Sequence, residues 1–402
     1  MLSNSVGSFI CLFFTFHDCI GVKLKKTKGP FMLIPTIAKI EAIPFTLSFD
    51  KSLRSGRGFF PKAENVLVRV TTDTGVVGFA EAMGFKQLFG ESQQSIVWAI
   101  EQWIAPKIMG LPISAIEKVW AELDLIQGNN TAKGSVDIAL HDALAKHIGL
   151  PLYQMLGGWV DRIGLTWIVG LASIEQMLED AMTASAKGFK SFKIKIGDST
   201  EKDVEVIRLI REALGNDVLL YVDANQAYTP TEAMRALPRM MEYGVEIVED
   251  PIPHWHTESR LKLARMLPVP LLGDESVVSP MDIKREIDTG ALGMINIKTA
   301  RSGFYQSRKI IHLAEQAGYR CLIGTLLETD IGALASAHFG AAFRAFTYPA
   351  ELTYHLKMQD RLLDSPLNIQ DGSLILPTAP GLGIELDEEK LERYRVKSFG
   401  SH

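Results

Sequence analysis

The feature that most constrains this chain is a spacing. Three short apolar runs each end on a carboxylate: Leu219-Leu220-Tyr221-Val222 on Asp223, Ile247-Val248 on Glu249, and Val269-Pro270-Leu271-Leu272-Gly273 on Asp274. The acids fall 26 and 25 residues apart, the length of one strand-plus-helix unit in a parallel α/β array. Neighbouring strands of such an array end on one face, so the three acids are expected together there. Carboxylates that converge repel one another and raise their own pKa values unless a divalent cation lies between them. Oxygen-only donors favour a hard ion, Mg²⁺ or Mn²⁺, over Zn²⁺. One loop acid is ordinary. Three in register are not, least of all between strands that carry Lys193 and Lys195 on one side and Lys298 on the other.

The surrounding pattern supplies the array. Between about 163 and 346 the chain alternates strand and helix, with strands expected at 165–170, 192–196, 218–223, 246–249, 269–274, 294–298 and 321–327. Helices fall between them, for example at 201–214, 231–243 and 304–317. Seven parallel strands with crossover helices predict a (β/α) barrel rather than an open sheet. No Gly-x-Gly-x-x-Gly follows a strand and no Walker-type loop is present, which argues against dinucleotide and nucleotide binding. Upstream, 34–158 reads as an α+β cap. Its strands are expected at 38–49, 65–72 and 76–81, the last two joined by the turn Thr74-Gly75, and its helices at 92–108, 115–126 and 135–148. Gly149-Leu150-Pro151 stops the last helix. The polar, glycine-bearing stretch 51–62 is expected as a loop; it holds Phe59-Phe60 and either overhangs the neighbouring site or stays a mobile surface loop. The tail has strand-like segments at 373–376 and 384–386 and is expected to return to the cap. The resulting division is an extension at 1–31, a cap at 32–158, a barrel at 159–350 and a returning segment at 351–402.

Composition closes off other classes. A net charge of -5, with no Lys/Arg run interleaved with aromatics, gives no footprint for nucleic acid. Residues 6–16 are apolar but too few to span a membrane. Their positive charge follows rather than precedes them, unlike a signal peptide. The first 31 residues are therefore read as an extension without fixed structure, Met32 as the natural start of the folded unit, and no membrane partner is expected. Cys11, Cys19 and Cys321 make no disulfide framework, which fits a reducing, cytoplasmic setting.

Taken as a set, Lys193-Ile194-Lys195, Asp223-Ala224-Asn225, Glu249-Asp250-Pro251, Asp274-Glu275-Ser276 and Lys298 resemble the signature of the enolase superfamily. More specifically they resemble its muconate lactonizing enzyme (muconate cycloisomerase) subgroup, within the mandelate racemase/muconate lactonizing enzyme family. The likeness runs from about residue 34 to 394. It implies an α/β fold, a (β/α)7β-type TIM barrel with an N-terminal α+β capping domain completed by the C-terminal tail. It also implies a Mg²⁺-dependent isomerase, with Mn²⁺ as a substitute, acting on a small-molecule carboxylate, and a homo-oligomer. The family abstracts a proton α to a carboxylate and stabilises the enediolate on the metal. By resemblance Asp223, Glu249 and Asp274 hold the ion, Lys195 is the base, Lys193 the cation beside it, and Lys298 the group on the opposite face. Lys193 and Lys195 lie i and i+2 on one strand, so both point into the barrel. The neighbouring ammonium, the metal and partial burial are expected to lower the pKa of Lys195.

Around this set, Asn225 is placed to orient water or a carboxylate, and Glu275 to pair with a lysine. Glu328 is expected either to contact substrate or to serve as a helix N-terminal charge. Trp255 and Phe59 are candidate pocket residues. The subgroup commonly has Glu-Gln-Pro where this chain has Glu249-Asp250-Pro251, and the extra acid leaves the substrate open. His254 and His256 are not read as ligands, since the oxygen set is already complete. Muconate-type cycloisomerisation is the leading reading. Racemisation or epimerisation of an amino-acid derivative or dipeptide comes next, then dehydration of an acid sugar or hydroxyproline. A non-catalytic binding protein on the same scaffold is the fourth.

Overall fold

The computed structural model describes residues 33–56 and 58–399. The expected extension at 1–31, with Cys11 and Cys19, lies outside the described residues. Among those described, no helix is long and apolar enough to cross a membrane.

The chain opens on an antiparallel sheet of β1 (Ile37–Ser55), β2 (Gly58–Thr72) and β3 (Val77–Met83), with β2 in the middle. Period-two alternation sends its side chains into two cores. Val66, Val68 and Val70 pack with Ala132, Val136 and Leu140 of the helix Asn130–Ile148. Phe45, Leu47 and Leu67 turn the other way, onto Leu326, Leu327 and Ile331 beside the barrel. The stretch 51–62 is not a loop. β1 and β2 stay paired to their tip, through Leu53↔Phe60, Arg54↔Phe59 and Ser55↔Gly58, after one irregularity. Polar composition concealed a hairpin that projects beyond the body of the sheet.

The helix expected at 92–108 divides into Gln93–Trp98, a π-helical stretch Ala99–Ile104, and Ala105–Ile108. Pro106 is the cause. Its ring excludes the carbonyl four residues back, and the turn before it widens, so that the Ala105 N–H bonds to Ile100 O. The helix Asn130–Ile148 is small-residue-rich and almost wholly buried. Its Gly134 lies against Gly303, where a Cβ would meet the Gly303 nitrogen at 2.7 Å. Gly303 has φ +65 and kinks the helix Thr299–Gln316.

A short strand, β4 (Arg162–Gly164), leads into a seven-stranded parallel sheet: β5 (Thr166–Val169), β6 (Ser191–Lys195), β7 (Leu219–Asp223), β8 (Val248–Glu249), β9 (Leu271–Gly273), β10 (Met294–Ile297) and β11 (Arg320–Ile323). The strands follow one another in sequence order around the sheet. An irregular stretch fills the gap between its edges. Phe346 bridges to Cys321, Ala350 bridges to Leu165, and the Glu351 N–H bonds to Ile323 O at 2.8 Å. This is the expected α/β barrel with an antiparallel cap. The tail adds β12 (Ile369–Gln370) and β13 (Ser373–Ile375), which pair with β4 rather than with the cap sheet. The segment expected at 384–386 makes only the bridge Leu363↔Leu386. Beyond it the chain does reach β1, where the Val396 N–H bonds to Pro44 O at 2.8 Å.

Candidate active site

Parallel register brings the predicted groups together. Lys195 on β6 pairs with Asp223 on β7, which pairs with Glu249 on β8. Asp274 directly follows β9 and Lys298 directly follows β10. All are buried. Lys193 Nζ lies 2.9 Å from Asp223 Oδ2, 2.7 Å from Glu249 Oε2 and 2.9 Å from Glu351 Oε1. Lys195 Nζ donates to Asp223 Oδ2 at 2.6 Å and to Asn225 Oδ1 at 2.8 Å. Lys298 donates to Asp274 Oδ2, and Arg301 Nη1 donates to Asp274 Oδ1 at 2.7 Å. The acids and cations thus interleave as buried ion pairs.

Charge follows this pattern. Burial opposes ionisation of Asp223, but the ammonium groups of Lys193 and Lys195 outweigh it and hold the carboxyl well below its usual range. Asp274 behaves alike: burial is overcome by Lys298 and Arg301, which bring it to about 2. Glu249 goes the other way, raised by burial and by Asp223 and Glu351. The expected lowering of Lys195 is not met. Burial does push it down, but Asp223 at contact distance pushes harder and leaves the ammonium above its ordinary value. Lys195 can act as a base only where that pairing is relaxed.

Among the described residues, no three His, Cys, Asp or Glu side chains stand gathered as an ion-holding group; each of the three acids faces a lysine instead. Their chemistry nevertheless fits a hard divalent ion. They are buried carboxylates at three successive strand ends, and Glu249 Oε2 has no partner besides its ion pair with Lys193 despite its burial.

Lys195, Asn225, Asp274, Glu275 and Lys298 line one pocket at this end of the barrel. Asn225 lies between Lys195 and Glu275, accepting from the first and donating to Glu275 Oε1 at 3.1 Å. The amide of Gln226 also donates to Glu275, at 3.4 Å. Phe60 lines the pocket, whereas Phe59 is 65 % exposed. Alternation along β2 turns the second phenylalanine inward, against the Phe85 ring at 5.2 Å. Trp255 is 67 % exposed and absent from the pocket wall. Glu328 is buried outside that wall, accepting from Thr325 Oγ1 at 2.6 Å and Leu326 N at 2.5 Å.

Sequence reasoning missed a buried layer beneath. Glu351, from the irregular eighth stretch, accepts from Lys193, from the Tyr221 hydroxyl at 2.7 Å and from Asn296 Nδ2 at 3.1 Å. Asn296 also donates to Glu249 Oε1 at 3.1 Å. Tyr221 and Asn296 each sit two residues before Asp223 and Lys298, a spacing that marks them as sharing the same inward face. Glu351 had no such signal, because Pro349 and the turn before it break the strand pattern. Arg54, at the hairpin tip, is a third pocket cation, 3.7 Å from Asp198.

Comparison with known proteins agrees with this geometry. Residues 49–157 match the family described as mandelate racemase / muconate lactonizing enzyme, N-terminal domain, and residues 176–390 match enolase C-terminal domain-like. The L-Ala-D/L-Glu epimerase of Clostridium acetobutylicum is 34 % identical over 86 % of this chain and 96 % of its own. Muconate cycloisomerase 1 of Rhodococcus opacus is likewise 34 % identical, over 82 % of this chain and 90 % of its own. Among solved structures, muconate lactonizing enzyme from Mucobacterium Smegmatis complexed with muconolactone superposes with a TM-score of 0.88 at 38 % identity, covering 90 % of this chain and all of that one.

Proposed function

Because the chain belongs to the mandelate racemase/muconate lactonizing enzyme family of the enolase superfamily, whose relatives here are isomerases, we propose that it isomerises a small dicarboxylate in the manner of a muconate cycloisomerase. The observation that carries this is the distribution of charge in the pocket. Lys195 and Lys298 come from the barrel, Arg54 comes from the cap, and the acids Asp274 and Glu275 both come from the barrel's strand ends. The cap contributes Leu53, Phe60, Phe85 and Leu88, and no acid. A substrate with an anionic group at either end and an apolar middle suits such a lining, while a free α-ammonium would meet no carboxylate on the cap side.

Members of the superfamily generally use Mg²⁺. Held by Asp223, Glu249 and Asp274, such an ion would supply positive charge to the substrate carboxylate while the α-carbon gains or loses its proton. The remaining work falls to side chains. Lys195 takes up or returns the proton at its Nζ. Lys298, across the pocket, supplies the cation that steadies the developing negative charge. Lys193 stays protonated, held by three carboxylates. The apolar side chains of the cap exclude water. The working division keeps the cap at 32–158, the barrel at 159–350 and the returning segment at 351–402.

Epimerisation of an amino-acid derivative is the second reading, favoured by the presence of both Lys195 and Lys298 in the pocket wall, where each can serve one face of an α-carbon. The test is incubation with Mg²⁺ and a panel of muconates, N-acyl amino acids and dipeptides, followed by ultraviolet absorbance and solvent-deuterium exchange. Turnover of a muconate supports the first reading. Exchange confined to a dipeptide or N-acyl amino acid replaces it with the second.

A further inference from the structure

We propose that Asp250 is a positioning residue that fixes the spacing of the three strand-end carboxylates, an inference that rests on the metal reading above. Asp250 is the extra acid of Glu249-Asp250-Pro251, and it is 2 % exposed. It is bonded to both neighbouring strand ends at once. Its N–H donates to Leu272 O at 3.1 Å, next to Asp274, and its carbonyl accepts from Gln226 N at 2.7 Å, beyond Asp223. Its Oδ2 accepts from the N–H of Asp274 itself at 3.1 Å and of Glu275 at 2.8 Å. Covalently it adjoins Glu249. One residue therefore ties together the backbones that carry all three acids.

The backbone is held in an unusual place to do this. Asp250 has φ +33, in the left-handed region that Asp and Asn tolerate better than other non-glycine residues. Pro251 follows and removes one N–H from the turn, and its carbonyl is tied back by Tyr228 N at 3.3 Å. The side chain is short, so its oxygen reaches the next strand end at a fixed distance. Mg²⁺ demands near-ideal octahedral geometry at about 2.1 Å, so a small shift of the Asp274 backbone relative to Glu249 should be felt in ion affinity. What Asp250 contributes is an acceptor at that reach. Asn supplies the same oxygen without the charge, whereas Ala leaves two N–H groups at a nearly dry site without their acceptor.

The experiment measures Mn²⁺ affinity by electron paramagnetic resonance on the full chain, without substrate, for wild type, Asp250→Ala and Asp250→Asn, with circular dichroism to establish folding. Asp250→Ala should weaken Mn²⁺ roughly 10–100-fold, and Asp250→Asn should stay within about threefold of wild type. Should Asp250→Ala not fold, Asp250→Ser takes its place with the same expectation, since its hydroxyl falls short of both N–H groups. Wild-type affinity in the Ala or Ser variant overturns the inference, as does an Asn variant as weak as Ala, which would make charge rather than reach the cause. A wild-type protein that binds no Mn²⁺ overturns the metal reading and this inference together, and is distinguished from the other failures by the wild-type titration alone.

Discussion

Replacing Glu351 with leucine should be among the most damaging single changes in the barrel, although the residue lines no part of the substrate pocket. Three donors converge on its carboxylate. The Tyr221 hydroxyl at 2.7 Å would lose its acceptor, and one N–H of Asn296, at 3.1 Å, would be left unpaired. Each buried donor so stranded costs about 1–3 kcal/mol. Lys193 would lose one of its three carboxylate neighbours, a charge-assisted contact worth about 1.5–3 kcal/mol, and would keep Asp223 and Glu249. With partial relaxation the loss should come to roughly 4–6 kcal/mol. Glu351→Gln retains an oxygen for Lys193 and Tyr221 and turns an amide nitrogen on Asn296, so its cost should be about 1–3 kcal/mol. Urea unfolding in EDTA, followed by tryptophan fluorescence and far-ultraviolet circular dichroism, gives both values from midpoints and slopes. The reasoning is refuted if the leucine variant loses less than about 1 kcal/mol, or if glutamine costs as much as leucine.

Asp223→Asn, Glu249→Gln and Asp274→Asn should each weaken Mg²⁺ binding and abolish turnover, checked by calorimetric titration and steady-state rates; full activity of all three in EDTA would remove the metal reading. With a racemisable substrate in D₂O, Lys195→Ala should lose exchange from one enantiomer and Lys298→Ala from the other, each by roughly 10²–10⁴-fold. With a cycloisomerisation substrate, Lys195→Ala should stop the reaction while Lys298→Ala leaves residual turnover, as followed by muconate absorbance. Glu81 is wholly buried, and burial pushes its carboxyl from 4.5 up to about 7 although Thr329, Gly332 and Asn65 donate to it. A carboxyl raised by folding keeps a proton that the unfolded chain releases. Its stabilising contribution is therefore full below about pH 4.5 and is lost as pH rises to about 7. Glu81→Gln should flatten this slope, worth up to about 3 kcal/mol, when urea midpoints at pH 5 and pH 8 are compared.

The barrel was legible because its signal is periodic. All seven expected strands occur, with ends displaced by up to four residues, and the carboxylate spacing anticipates the register Asp223↔Glu249. What stayed hidden was irregular or polar. The hairpin tip was read as a loop because Ser52, Arg54, Ser55 and Gly56 carry no alternating hydrophobic signal, yet Leu53 and Phe60 pair across it. Glu351 went unseen because the eighth stretch is too broken to read as a strand, although it closes the barrel. The protonation expected of Lys195 failed for an electrostatic reason. Pattern places the lysine beside an acid, but only distances show that Asp223 prevails over burial.

The hairpin tip has an evolutionary consequence. Leu53, Arg54 and Phe60 form part of the pocket wall but supply no proton-transfer group, and they lie far upstream of the acids and lysines in the chain. Selection for a new substrate can act on these few positions while the strand ends remain under constraint. Whole-chain identity averages over every aligned position, and the pocket wall is a small share of them. An epimerase and a cycloisomerase can therefore stand at the same 34 % from this protein, a figure in which a few pocket-wall residues scarcely weigh.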